Sequence, residues 1–315
     1  MKVPLRLYIK PTIGHRIITK IKAPDIQRVF NEMLTTAGKN KQGVSSLTVR
    51  MTRRYLSMAF DKAIEVGLVS KNIIKATSPP RLVKEEIRPL SEEQYALLLK
   101  TAKLGEYIFY GCEQQQKPDL ATEYLQAMAY TAVLLAINTG MRLGEVFGLK
   151  WSDIDFEKNS VNVGRSLVAS CHGVHFEEPK TKGSRRRIPL PEKVTKALEK
   201  YNKEQQWHGH VLGDKFVNKE DLVFPNSAGK PINTANFTQR YFKRMINQAG
   251  LDKKFSFHDL RHTHATILLK QGVNIKVISE RLGHSTIQLT LDTYAHLMPD
   301  MQETAIKALE NLDIG

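Results

Sequence analysis

Three prolines, Pro79, Pro80 and Pro89, bracket a run of alternating charge from Arg81 to Arg88. No other feature constrains the fold as strongly. Proline removes a helix amide and stiffens the connection it sits in. Residues 79–91 therefore read as a linker, with a domain boundary near residue 88. The 315 residues are enough for two domains with real cores, one on each side.

The stretch before the linker, residues 1–78, reads as helical. Ile26, Val29, Phe30, Met33 and Leu34 recur at spacings of three and four, with Asp25 as the expected cap. Val49, Leu56, Ala59, Phe60, Ala63 and Ile64 form a second stripe, which Ser46 or Thr48 can start and Gly67 can end. Lys20, Lys22, Arg50, Arg53, Arg54 and Lys62 lie between and around these helices. Such residues often form only a solvated face. In a chain this basic, phosphate contact is the expectation.

The stretch after the linker changes period. Ser91 reads as an N-cap, with Glu92 and Glu93 in the first turn. The apolar run 127–137 is too short to span a bilayer and reads as a buried helix. Residues 160–163, 174–177 and 186–190 alternate as short strands do, with a glycine-containing turn region between the first two. After Pro191 the chain is mostly helical again. The fold class expected is mainly α with a small antiparallel β-sheet, a helical domain over 1–88 and a mixed α/β domain over 89–315. Residues 107–120 read as an added loop. Ala305, Ala308, Leu309 and Leu312 mark an amphipathic helix over 301–314.

Lys plus Arg number 47 against 32 Asp plus Glu, a formal net charge of +15. That imbalance favours a polyanionic partner, of which nucleic acid is the commonest. The two cysteines, Cys112 and Cys171, fit neither a disulfide framework nor a thiolate zinc site. They suit a reducing compartment. No secretory signal, no GxxxxGK[ST] loop and no HExxH motif is present in the sequence. A cytoplasmic protein without membrane partner, metal or cofactor is expected.

The chemistry-bearing residues gather late in the chain. Phe257-His258-Asp259-Leu260-Arg261-His262-Thr263-His264 is followed by Leu282-Gly283-His284-Ser285 and by Tyr294. Upstream stands Thr139-Gly140-Met141-Arg142-Leu143-Gly144-Glu145. Cleaving a phosphodiester without a metal requires fixed cations for the charge that develops on its oxygens. Arginine pairs two such oxygens and stays ionised; Arg142 and Arg261 are the candidates. Tyr294 is the candidate nucleophile. His258 is expected to take its proton, and His284 to donate to the phosphate. Lys182, between the second and third expected strands, can protonate the departing sugar hydroxyl. His262 is expected to support the site, His264 to pack in the core. A metal held by His258 and His262 lacks a carboxylate or cysteine at matching spacing. Arg185, Arg186 and Arg187 read equally as a solvated face or as DNA backbone contacts.

The fragments TGMRLGE, PKTKGSRRRIPL, HDLRHTHAT and LGHSTIQLTLDTY resemble the boxes of tyrosine recombinases, the phage integrase family, over residues 139–294. The resemblance implies that Arg142, Arg261, His258 and His284 activate a scissile phosphate. It implies that Lys182 protonates the 5′-hydroxyl and that Tyr294 forms a 3′-phosphotyrosyl link. Glu145 matches the acidic position that supports the first arginine. Ile9-Lys10-Pro11-Thr12-Ile13-Gly14 and residues 72–80 are similar to segments of the family's core-DNA-binding domain, which residues 1–88 would form; family members carry more sequence upstream, so a truncated or short member is expected. The two domains would clamp duplex DNA at attachment or core sites. Four protomers would join two duplexes through the C-terminal helix, with an excisionase or a host DNA-bending protein as possible helpers. The implied role is integration and excision of a mobile element in a bacterial host, on its nucleoid. Competing readings are a Xer-like chromosome-dimer resolvase, a catalytically silent DNA-binding regulator and a type IB topoisomerase.

Overall fold

The chain divides into two units, Met1–Glu86 and Ile87–Gly315. The computed structural model describes residues 4–38, 42–82, 87–105, 119–170, 173–178 and 185–294, with Ile306 and Glu310. The architecture is mainly helical, with small antiparallel sheets in the second unit.

In the first unit a π-helical turn, Leu5–Ile9, runs into α1 (Lys10–Ile13). Helix α2 (Ala23–Thr35) carries a proline, Pro24, in its first turn. Asp25 sits three residues inside its cap, where its carboxylate accepts from Lys22 N at 2.9 Å. It closes the first turn instead of capping it, because Pro24 sets φ and needs no amide partner there. Helix α3 (Ser46–Glu65) is capped by Ser45, whose hydroxyl accepts from Thr48 N at 3.2 Å. The two helices bury Ile26, Val29, Phe30 and Met33 against Val49, Leu56 and Phe60. Ala59 and Ile64, expected in this stripe, stand exposed on its margins.

The second unit is built around an apolar helix. Helix α4 (Glu92–Leu104) opens with Ser91 and Gln94 capping each other, at 3.2 and 3.0 Å. Helix α5 (Leu120–Thr139) is buried on nearly every side from Met128 onward. It is long and apolar enough to cross a membrane by length and composition. Here its apolar length is core: Met128, Ala132, Val133, Leu135 and Ala136 pack with Leu98, Leu198, Tyr201, Phe224 and Phe237. Each large aliphatic or aromatic side chain so enclosed stabilises by roughly 1.5–3 kcal/mol.

After α6 (Leu143–Phe147) the described residues form five strands, β1 (Ile154–Asp155), β2 (Ser160–Val163), β3 (Ser166–Ser170), β4 (Gly173–Glu177) and β5 (Arg186–Pro189). They form two sheets, β1-β2-β5 and the hairpin β3-β4, all antiparallel. The sequence suggested three strands. The turn region expected before 174 is strand β3 instead, which pairs Leu167 with Phe176 and buries Leu167. Its backbone lies close against α6, where a Cβ on Gly144 would stand 2.7 Å from Leu167 O. Tertiary contact decides that strand more than its own weak alternation.

Further α-helices among the described residues are α7 (Glu192–Leu212), α8 (Thr234–Phe237), α9 (Lys243–Gln248), α10 (Phe257–Lys270), α11 (Ile275–Leu282) and α12 (Ile287–Tyr294). The added loop expected over 107–120 lies outside the described residues up to 118. The expected tail helix lies outside them too, apart from Ile306 and Glu310, which are helical and exposed.

Candidate active site

The first arginine is aimed by a helix stop. Helix α5 ends at Gly140, whose φ of 68° is left-handed and whose amide closes on Ala136 O at 2.8 Å. Glycine takes that conformation without steric cost. Packing demands it as well, since a Cβ there would come within 2.6 Å of Leu282 Cδ2. The chain then turns, buries Met141 and begins α6 at Arg142. Arg142 N donates to Glu145 Oε2 at 2.8 Å, and Arg142 Nη1 to Glu145 Oε1 at 2.9 Å.

Glu145 holds a second guanidinium. Arg186 of β5 forks onto the same carboxylate, at 3.1 Å to Oε1 and 2.9 Å to Oε2. The Arg186 and Glu145 side chains are 7% and 8% exposed, while that of Arg142 is 43% exposed. Burial would raise the Glu145 carboxyl; its bonds and charge contact with Arg186, then Arg142, outweigh burial and hold it below the ordinary value. One carboxylate between two guanidiniums leaves an excess positive charge, presented by the exposed fork of Arg142. Arg186 Nε also donates to Arg281 O at 2.6 Å, tying β5 to the end of α11.

Helix α10 carries the next group. Ser256 starts it, donating N–H and O–H to Asp259 Oδ2 at 2.7 Å each. Arg261, 3% exposed, donates from Nη1 to Gly140 O at 2.9 Å. Its Nη2 is buried without a hydrogen-bond partner among the described residues. A buried donor left open costs free energy unless a ligand completes it. Burial, then the Arg142 charge, pulls the Arg261 guanidinium down to about 9, still cationic at neutral pH. His264 lies on the core side, as its spacing suggested. Its Nδ1 is 3.0 Å from Ile137 O, and its Nε2 accepts from Arg281 Nε at 3.4 Å. That pairing fixes a neutral ring, and burial followed by the Arg281 charge lowers its pKa to about 3.

The last two groups follow α11. Gly283, with φ 66°, ends that helix, and His284 N bonds Ser279 O at 3.1 Å. His284 Nδ1 lies 2.7 Å from Oγ1 of buried Thr290. Burial, then Arg261, lowers the His284 pKa to about 4. Tyr294, at the end of α12, is 1% exposed and packs against Ala265, Leu269, Ile278 and Leu282. Burial raises its hydroxyl to about 12, opposed by the Arg261 charge.

The hydroxyl of Tyr294 meets His262 Nδ1 at 2.7 Å. The sequence suggested His258 as proton acceptor. In the structure His258 stacks its ring edge-to-face on His262, 4.9 Å between centroids. The reason is helical geometry: 258 and 262 share a face one turn apart, and Tyr294 closes on the farther one. Burial, then the His258 neighbour, lowers His262 to about 4. Burial and Arg261 lower His258 too.

The structure thus gathers Arg142, Glu145, His258, Arg261, His262, His284 and Tyr294 in one place. Lys182 lies outside the described residues. Arg186 is the residue that sequence reasoning misplaced, as part of a basic surface run. The signal for it was the strand period: 186 and 188 share the inner face of β5 and 187 the outer, where Arg187 Nε reaches Ser160 Oγ at 2.8 Å. Two other expected DNA contacts serve the fold of the first unit. Arg53 donates to Thr77 Oγ1 at 3.0 Å and to the carbonyls of Ile74 and Thr77, and Arg50 to Pro80 O at 3.0 Å. Lys20, Lys22 and Arg54 are exposed, as is Arg185, paired with Glu178 at 2.7 Å.

Residues 90–301 match the Phage integrase family. A tyrosine recombinase XerC-like protein of Caldanaerobacter subterraneus subsp. tengcongensis is 31% identical over 94% of this chain and 73% of its own. The ICEBs1 integrase of Bacillus subtilis is 26% identical over 91% of this chain and 72% of its own. In fold, the chain is similar to the Tn1549 transposon integrase in complex with transposon right end DNA. That match has a TM-score of 0.72 at 24% identity, covering 98% and 91% of the two chains. A lambda integrase dimer bound to a core site gives a TM-score of 0.58 at 20% identity, covering 90% and 85%. The chain belongs to the phage integrase family of tyrosine recombinases.

Proposed function

We propose that this protein is a site-specific DNA recombinase that integrates and excises a mobile element. Tyr294 attacks the scissile phosphate, the 5′ oxygen leaves, and a 3′-phosphotyrosyl link stores the bond energy for rejoining. Arg142 and Arg261 carry the phosphate charge, His258 and His284 complete its hydrogen bonding, and Lys182 protonates the leaving oxygen. The observation that carries this reading is the buried Nη2 of Arg261, without a partner among the described residues, with the exposed fork of Arg142 and a hydrogen-bonded tyrosine hydroxyl in the same cluster. Two fixed guanidiniums supply the charge a metal would otherwise supply, and the bond energy is conserved, so neither metal nor ATP is needed. The first unit contributes DNA affinity through exposed Lys20, Lys22 and Arg54. Four protomers act on two duplexes through the C-terminal segment, with an excisionase or a DNA-bending host protein as helpers, on DNA inside a bacterial cell.

The test is covalent capture. The protein is mixed with a diverse duplex library in chelator, denatured, and the attached DNA sequenced. Adducts sharing one sequence, absent with Tyr294→Phe, support the proposal. Adducts without a shared sequence favour a topoisomerase, and retained DNA without adducts a binding-only regulator. A Xer-like resolvase is favoured by the XerC-like relative. A captured site of chromosomal-terminus type, instead of element ends, would select it.

A further inference from the structure

The site holds two histidines one turn apart on α10, and only one of them touches the nucleophile. We propose that His262 is the catalytic residue that orients Tyr294 and takes its proton, leaving His258 free for the phosphate. This rests on the functional reading above.

The geometry divides the labour. His262 Nδ1 stands 2.7 Å from the Tyr294 hydroxyl, within the reach that a general base requires. No other side chain among the described residues bonds that hydroxyl. His258 makes no hydrogen bond among them and contacts His262 only through its ring. The Tyr294 ring is locked by the apolar side chains of α10 and α11 around it, so its hydroxyl cannot swing to His258 without repacking. With its own proton on Nε2, the neutral His262 ring accepts from Tyr294 at Nδ1.

The groups that face His262 are His258, Asp259 and Arg261 on α10, His284 beyond α11, and Tyr294 on α12. In the reaction the Tyr294 O–H bond breaks and its proton moves to His262 Nδ1. The phenolic oxygen forms a bond to phosphorus while the phosphorus bond to the 5′ oxygen breaks. That oxygen takes the proton of Lys182. The imidazolium formed on His262 is offset by the negative charge that the bound phosphate brings to the cluster, and on rejoining His262 returns the proton to Tyr294.

The experiment measures single-turnover cleavage against pH on the captured duplex, with His262→Asn, His262→Ala and His258→Asn. Asparagine places a polar atom near Nδ1 and keeps the contact, but cannot take a proton. Affinity for the duplex and Tm report folding separately. The proposal expects both His262 variants to cleave about a hundredfold more slowly. DNA affinity should be unchanged, and the acidic limb of the wild-type rate profile should be lost. His258→Asn should slow the reaction but keep that limb. Cleavage by His262→Asn at the wild-type rate overturns the assignment, as does loss of the limb in His258→Asn alone. A wild-type protein that makes no Tyr294 adduct overturns the functional reading first and this assignment with it.

Discussion

Arg142 and Arg186 share a carboxylate, yet different roles follow from their exposure. The Arg142 fork faces out and is replaceable in charge but not in shape. Arg142→Lys keeps the cation and loses the paired donors, so cleavage should fall about 10²–10³-fold with DNA affinity retained; a single-turnover assay checks it. Arg186 is inward, and losing it strands a buried carboxylate. Arg186→Met should lower stability by about 3–5 kcal/mol, read by denaturant unfolding. The histidines make a second prediction. An unfolded histidine titrates near 6.5, whereas His262 and His284 titrate near 4 and His264 near 3 in the fold. Between those limits the unfolded chain binds more protons, so stability falls as pH drops from about 6.5 toward 4. Tm measured at pH 7.5 and 4.5 should show the loss, and His264→Asn should shrink it. The residue types and spacing that pointed to Arg142, His258, Arg261, His284 and Tyr294 are rare in combination, and the fold brings those side chains together. Arg186 was not legible in this way, since a run of three arginines looks like a solvated face until its strand is seen to bury every second residue.

At the scale of elements, the site is a set of helix and strand ends brought together. Gly140 turns α5 into α6, Gly283 turns α11 toward His284, and β5 bridges them through Arg186. Gly140→Ala would force a left-handed alanine against Leu282. It should cost roughly 2–5 kcal/mol, adding the conformational and overpacking terms, and should slow cleavage by displacing both arginines. Thermal unfolding and the cleavage assay read the two effects together. The capping serine of α4, the apolar length of α5 and the strands at 160 and 174 could be read directly, because caps and periods are local. Strand β3 could not. Its Ser-Leu-Val-Ala-Ser sequence alternates weakly, and contact with α6 decides its form. The pairing of Tyr294 with His262 was hidden for a related reason, since spacing shows which residues share a helix face but not which of them a distant helix meets.

At the scale of the whole molecule, the proposed binding of DNA would be governed by charge. The formal net charge of +15 and the exposed Lys20, Lys22 and Arg54 of the first unit predict affinity dominated by phosphate contacts. Binding to non-specific duplex should weaken at least tenfold between 50 and 200 mM salt, along a straight line in log–log form. A titration that is flat in salt would remove the electrostatic account. The proline-rich stretch suggested a boundary near residue 88, because a chain that breaks helix at three prolines has few ways to continue one core, and the contacts divide the chain into Met1–Glu86 and Ile87–Gly315. The chemistry proposed for the site requires that Tyr294 become joined to DNA. The most direct measurement of that joining is peptide mapping of the captured complex by mass spectrometry after nuclease and protease digestion. The account predicts a nucleotide attached through its 3′ phosphate to the peptide containing Tyr294. Attachment at any other residue, or through a 5′ phosphate, would contradict it.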